Sequence, residues 1–411
     1  MDTILRNARI DGDVGLPLVD IGLDGGKIAA IEPDLRAEGN VIDVGGRIVT
    51  GGFVETHIHL DKSMILDRCT ADNGDLEKAI EQVANLKEAF TPDDVYDRGK
   101  KTLEKCLLNG TTHMRTHLEV DPVIGLRGLE GILPLVDEYK WAIDIEIVIF
   151  PQEGLLNNPG TDELMVEALE NGGSVVGGAP YTDSDPPGQI DRIFELARRF
   201  DTDIDMHLDF GPDPEALDLD YVCELTDKFD YAGRVTIGHV TKLSAVAPVR
   251  LHEVGKRMAD SGVALTVLPS TDLYLMGRHM DHNVMRGVTP VHEMLHDGVN
   301  CSLSTNNVLN PFTPFGDCSL IRMANLYANI CQVAARSDLV ECYEMVTERS
   351  AKLMRIDDYG VKVGNSADLV VIDCDNKATA VSELANPLWG FKRGRLTFTR
   401  TPPLLHRPLP T

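Results

Sequence analysis

Hydrophobic and polar positions divide the chain into three stretches of different rhythm. From residue 1 to about 50, short apolar runs alternate with turn signals, as in TILRNARI, DIGLDGGKIAAIEP and NVIDVGGRIVTGG. The DGGK and VGGR pieces read as hairpin turns, so this part predicts β-structure. From about 48 to 356 the rhythm changes, and short apolar strands recur with helical patterns between them. Eight strands are predicted: RIVTGGFV (47–54), TTHMRT (111–116), DIEIVIF (144–150), SVVGGA (174–179), TDIDMH (202–207), RVTIGH (234–239), VALTVL (263–268) and VNCSLS (299–304). Segments such as PDDVYDRGKKTLEKCLLNG and GQIDRIFELARRF predict helices between them. Eight strands alternating with helices fit a closed (β/α)₈ TIM barrel better than an open sheet. From about 357 to 411 the β rhythm returns in GVKVGNSADLVVIDCDN and FKRGRLTFTR. The simplest organisation is a barrel over 51–356 and a small β-sandwich domain made from 1–50 and 357–411. The proline-rich TPPLLHRPLPT is expected to lie along the surface.

Composition narrows the partners. With 39 Lys and Arg against 65 Asp and Glu, the net charge of the 411 residues is −26. Such a surface repels phosphate backbones and anionic lipid, so no nucleic acid and no membrane partner is expected. No apolar run reaches the ~20 residues that span a bilayer. The charged N-terminus lacks the apolar core of a signal peptide, and none of the eight cysteines sits in a CxxC pair. Both features lead to the expectation of a cytoplasmic protein with reduced thiols.

In a parallel barrel, chemistry collects where strands end and the following loops begin. The first strand runs into His57 and His59, and residues i and i+2 of an extended segment point the same way. Strands five and six end in His207 and His239. Four imidazoles therefore gather at one mouth, and neutral imidazole suits zinc and iron. His252, His279, His282, His292, His296 and His406 fall in helical or loop stretches and are taken as structural or solvent-facing. HExxH, GxxxxGK[ST], HxE…PCxxC and GxSxG motifs are all absent.

The phrase GGFVETHIHLDKS resembles the strand-one signature of the amidohydrolase superfamily. HMRTHLEVDP, VIFPQEGLL, the MHLDF region, RVTIGHVT, LMGRHMD followed by GVTPVHEML, and VKVGNSADLVVID occur in the order found in cytosine deaminase and its relatives. The resemblance implies one divalent metal ion, zinc or iron with manganese as a further option, held by His57, His59 and His207. It implies that His239 holds the water the ion activates, and that Gln152 grips the amide-like edge of a small-molecule substrate. An amide offers both a donor and an acceptor to such an edge. Phe312 matches a position where an aromatic ring covers the substrate, and it is equally read as an apolar anchor between two prolines. His117 and Asn307 are taken as further substrate contacts. A homo-oligomer is also implied. Strand four runs into Gly178-Ala179-Pro180-Tyr181 without the lysine of two-metal relatives, so a single ion is expected. Lys62 is taken as a loop charge, and Arg115 and Arg278 as salt-bridge partners that an anionic substrate group could also meet.

Two positions break the family pattern. Phe210 stands where a catalytic glutamate is expected, and Asn306 where an aspartate binds metal and accepts a proton. Neither can serve as a general base. Three explanations are open. Another residue acts as base, with His239, Asp209 and His117 the candidates. Or the substrate needs less proton traffic, as an activated cyclic amide or imide does. Or the chain is an impaired hydrolase that binds a small ligand. On this reading the catalytic set is His239, Asn306 and Asp209, serving hydrolysis of a C–N bond in a small nitrogen heterocycle or cyclic amide.

Overall fold

The computed structural model describes residues 1–10, 15–69 and 74–406. Eight parallel strands form the barrel: Phe53–Ile58, Thr111–Glu119, Asp144–Phe150, Val175–Gly178, Asp203–Leu208, Val235–His239, Val263–Val267 and Cys301–Leu303. Each pairs with its sequence neighbour. The ring closes through a parallel bridge between Ile58 and Asn306 and through the Thr56 hydroxyl, which bonds Ser302 and Ser304. Closure buries both faces of the strands, which is why they read as near-continuous apolar runs.

Local signals set the connections. The helix Pro92–Leu108 starts with proline in its first turn, and the Thr91 hydroxyl accepts from the Asp94 amide. The helix Pro248–Ser261 ends at Gly262, whose φ of 71° lets the chain turn at once into the strand Val263–Val267.

The first predicted strand divides in two. Ile48–Gly51 belongs to a second sheet, in which it pairs with Leu369–Ile372, and only Phe53–Ile58 enters the barrel. A run of unbroken apolar character cannot reveal that its two halves lie in different layers. The second sheet gathers strands from both chain ends, with buried Leu5, Ile21, Leu23, Val49, Leu369, Val371 and Phe391 between them. DGGK is a hairpin turn, joining Val19–Asp24 to Lys27–Glu32 with Asp24 opposite Lys27. VGGR is not. The segments on either side of it, Asn40–Asp43 and Ile48–Gly51, both run parallel to the strand Thr3–Ile10. Its two glycines make a detour along one edge rather than a reversal. The buried Lys392 ammonium ties this sheet to the barrel, bonding the Thr112 carbonyl at 3.0 Å, Asp144 at 2.7 Å and Asp368 at 2.8 Å. Residues 401–406 carry no regular structure and are largely exposed; the rest of the proline-rich end lies outside the described residues. No helix among the described residues is long and apolar enough to cross a membrane.

Candidate metal centre and cavity

A register shift in the first barrel strand prepares the site. Two residues between Glu55 and Ile58 oppose one on the neighbouring strand, so Thr56 and His57 both face the barrel interior. His59 follows two residues later. The Nε2 atoms of His57 and His207 lie 3.1 Å apart, and those of His207 and His59 3.2 Å apart. All three rings are buried, and burial holds each imidazole well below its ordinary pKa, so the neutral form prevails. Neutral ring nitrogens brought this close to His207 Nε2 repel it unless a proton or a cation sits between them. The donor set therefore fits a divalent ion. His57, His207 and His239 also form a group whose nitrogens lie within 4.8 Å of one another.

His239 ends strand six with a left-handed φ of 70°, and the next residue, Val240, has φ 47°. Such a conformation is costly for a β-branched residue and persists only where neighbours impose it. Its effect is to set the ring against Asp272, with Nδ1 2.5 Å from Oδ1. The other Asp272 oxygen accepts from the Leu268 amide at 3.2 Å. Asp272 is fully buried in the short helix Pro269–Leu275 after strand seven, and burial raises its pKa while His239 opposes the rise. With Nδ1–H donated to a carboxylate, His239 presents Nε2 as an acceptor on the cavity side, where Asn306 Nδ2 lies 3.4 Å away. This partner is missed when only strand-end histidines are read, because Asp272 lies beyond the strand end in a helical turn.

The cavity, of about 260 Å³, is lined by His59, Lys62, Leu76, Gln152, Tyr181, His207, Phe210, His239, Thr271, Leu275, Asn306, Asn307 and Phe312. The structure thus brings Gln152, Asn306, Asn307 and Phe312 together with the histidines. Phe210 stands edge-on to His239 with ring centres 5.3 Å apart. Asn306 Nδ2 lies 3.4 Å from His239 Nε2, and its Oδ1 accepts from Asn307 at 2.9 Å.

Two expected site residues are elsewhere. Asp209 uses one oxygen on the Asp218 amide and the Lys242 ammonium and the other on the Leu219 amide, so it anchors the loop before the helix Leu219–Lys228. A carboxylate committed to three donors outside the cavity is no candidate base. His117 lies behind the metal histidines, stacked on His57 with ring centres 3.7 Å apart, and does not line the cavity. Its Nε2 is 3.3 Å from Asp205, which also accepts from Arg115 at 3.1 Å. Arg115 is a buried salt-bridge partner, while Arg278 is exposed and stacks on Tyr274 at 4.0 Å.

Lys62 corrects a further expectation. It is buried rather than a loop charge, donating to Glu119 at 2.6 Å and to Gln152 Oε1 at 3.0 Å, with Phe312 4.4 Å beneath its ammonium. Glu119 is shared with Lys87, which also pairs with Asp121 and Glu153 at 2.5 Å each. Burial works to raise the Glu119 carboxyl, but the two ammoniums outweigh it and hold it down to about 2. Replacing Lys87 by methionine leaves Asp121 and Glu153 without a cation, while Glu119 keeps Lys62, and such a loss destabilises by about 3–5 kcal/mol. Chemical denaturation of Lys87→Met should read that loss; an unchanged midpoint would show that the cluster is solvated.

Comparison with known proteins follows the same lines. The sequence model of the Amidohydrolase family matches residues 140–389. The chain is 28% identical over 406 residues to N-isopropylammelide isopropyl amidohydrolase of Pseudomonas sp. strain ADP, covering 96% of each chain. It is 28% identical over 369 residues to pterin deaminase of Rhizobium rhizogenes, covering 87% of this chain and 82% of the relative. Among solved structures, 5-methylcytosine deaminase from Klebsiella pneumoniae, liganded with 5-fluorocytosine, superposes with a TM-score of 0.93 at 28% identity, covering 98% of this chain and 99% of the other.

Proposed function

Because this chain belongs to the amidohydrolase family, we propose that it uses a divalent metal ion to hydrolyse a C–N bond of a small nitrogen heterocycle or cyclic amide. One observation carries the reading: His207 Nε2 lies 3.1 Å from His57 Nε2 and 3.2 Å from His59 Nε2, beside a His239–Asp272 pair that faces the same cavity. The relatives named above, which act on ammelide, pterin and methylcytosine rings, support the substrate class.

His57, His59 and His207 would hold the ion, with zinc or iron favoured by imidazole ligands and manganese a further option. When bound, the ion lowers the pKa of water toward neutrality. His239 Nε2 takes the proton of the attacking water as the C–O bond forms. The Asp272 carboxylate stabilises the imidazolium that results. The same proton passes to the leaving nitrogen as the C–N bond breaks. His239 thus takes over the proton traffic that Phe210 and Asn306 cannot carry. Gln152 and Asn307 orient the ring, and Phe312 with Phe210 encloses it. The barrel over 51–356 carries this chemistry, braced by a β-sandwich from 1–50 and 357–411. That division is supported by the pairing of Ile48–Gly51 with Leu369–Ile372.

Metal analysis of protein purified without added metal, followed by a hydrolysis screen of pyrimidines, triazines, hydantoins and cyclic imides, tests the reading. An absence of metal and of turnover on every ring would favour a ligand-binding protein, the alternative that Phe210 and Asn306 keep open.

Asn306 offers a narrower test. It lies within reach of His239 as a neutral amide, so Asn306→Asp adds a charged oxygen beside the histidines. Metal affinity should rise, because a carboxylate is a stronger partner for a dication than an amide. Competition against a chelator measures this, and unchanged affinity would place Asn306 outside the ion's reach.

A further inference from the structure

A carboxamide normally shows a ligand both a donor and an acceptor. Along this cavity each carboxamide oxygen already accepts a hydrogen bond from a neighbouring side chain. Gln152 Oε1 accepts from Lys62 at 3.0 Å, Asn306 Oδ1 from Asn307 at 2.9 Å, and Asn307 Oδ1 from Asn310 at 2.7 Å. The Gln152 orientation is fixed, because the flipped amide would set its NH₂ against an ammonium. Its buried Nε2 faces the Tyr181 hydroxyl, which burial keeps protonated, so at least one of its two N–H groups has no acceptor. No carboxylate lines the cavity among the described residues, although the chain carries 65 acidic side chains. Lys62 commits two of its three N–H groups, to Glu119 and Gln152, and no acceptor takes the third among the described residues.

We propose that the wall made by Lys62 and Gln152 selects the acceptor-only edge of an acidic oxo-heterocycle, bound as its ring anion. The edge concerned is a carbonyl beside a deprotonated ring nitrogen, as in cyclic ureides, imides and hydroxy-azines. This names the substrate class of the site proposed above and rests on that reading. The expectation from sequence is that Gln152 meets an N–H beside a carbonyl; here Lys62 already donates to the oxygen that would accept from that N–H and leaves it one lone pair. An amino-pyrimidine edge carrying N–H donors would meet ammonium and amide donors head-on. A ring anion instead gains charge-assisted hydrogen bonds from Lys62 and Gln152 and fills an unpaired buried donor.

Calorimetric titration of the metal-loaded protein with barbituric acid, an anion at neutral pH, and with cytosine, a neutral amino-pyrimidine, tests the assignment. Barbiturate should bind at least ~10-fold more tightly. Gln152→Glu, which adds a negative charge to the edge, should abolish that preference. Lys62→Met should weaken barbiturate by about 10–100-fold while leaving cytosine little changed. The double variant Lys62→Met with Glu119→Gln guards against misfolding from a stranded carboxylate, and should lose the preference equally. Equal affinities in the wild type, or tighter cytosine, would overturn the assignment of the edge. If rings are turned over but the preference is for amino-pyrimidines, the edge falls alone. If neither probe binds and no ring is hydrolysed, the functional reading falls with it.

Discussion

Changing His57 and His59 together to alanine should reduce metal content from about one ion per chain to almost none, since about three protein ligands are the minimum for a retained ion. The two residues supply two of the three Nε2 atoms that converge at 3.1 and 3.2 Å. The groups left, His207, His239 and the neutral Asn306, offer two imidazoles, one of them held by Asp272, and a weak amide oxygen that Asn307 already engages. Both removed rings are buried, so the variant should be checked for a native circular dichroism spectrum before its metal is measured. Full metal content in a folded double variant would place the ion elsewhere.

The second large effect is expected at His239. His239→Asn should lower turnover by ~10²–10⁴-fold, the usual contribution of a positioned acid–base group, while metal content stays close to that of the wild type. The argument is geometric. Phe210 carries no proton, Asn306 is neutral, and Asp209 is bonded away from the cavity. His239 is the lining group with a carboxylate behind it and an acceptor nitrogen in front, held only by a long 3.4 Å contact from the Asn306 amide. Asp272→Asn should give a smaller loss in the same direction, because an amide still orients the ring but no longer stabilises its protonated form. Single-turnover rates on whichever ring the screen yields would decide the matter. If His239→Asn keeps full turnover, the base is another group.

The periodicity of the chain was enough to predict the barrel, since closed parallel strands are apolar on both faces and helices between them are amphipathic. The gathering of His57, His59, His207 and His239 was equally legible, because each lies at or just past a strand end and the barrel brings strand ends together. Lys62 was misread for a different reason. A lysine in a loop is usually solvated, and only the burial of Glu119 at the end of strand two gives it a partner. That pairing spans 57 residues and depends on two strands lying side by side. Asp209 and His117 were misplaced because nearness to a strand end says nothing about which way a side chain turns. The left-handed φ of 48° at Asp209 directs its carboxylate to amides nine and ten residues later.

What the sequence determined by itself is therefore what depends on period and on residue type: eight strands, the intervening helices, four strand-end histidines, and the amides and phenylalanine where acids were expected. What only the tertiary structure decided is how the polar groups satisfy one another. Hydrogen bonds are short and directional, so one neighbour a few ångströms away settles whether a carboxamide shows its oxygen or its NH₂, and whether a histidine shows a lone pair or a proton. In this chain Lys62 settles the first at Gln152 and Asp272 settles the second at His239. Both neighbours arrive from segments that follow other strands of the barrel, and no local spacing encodes them.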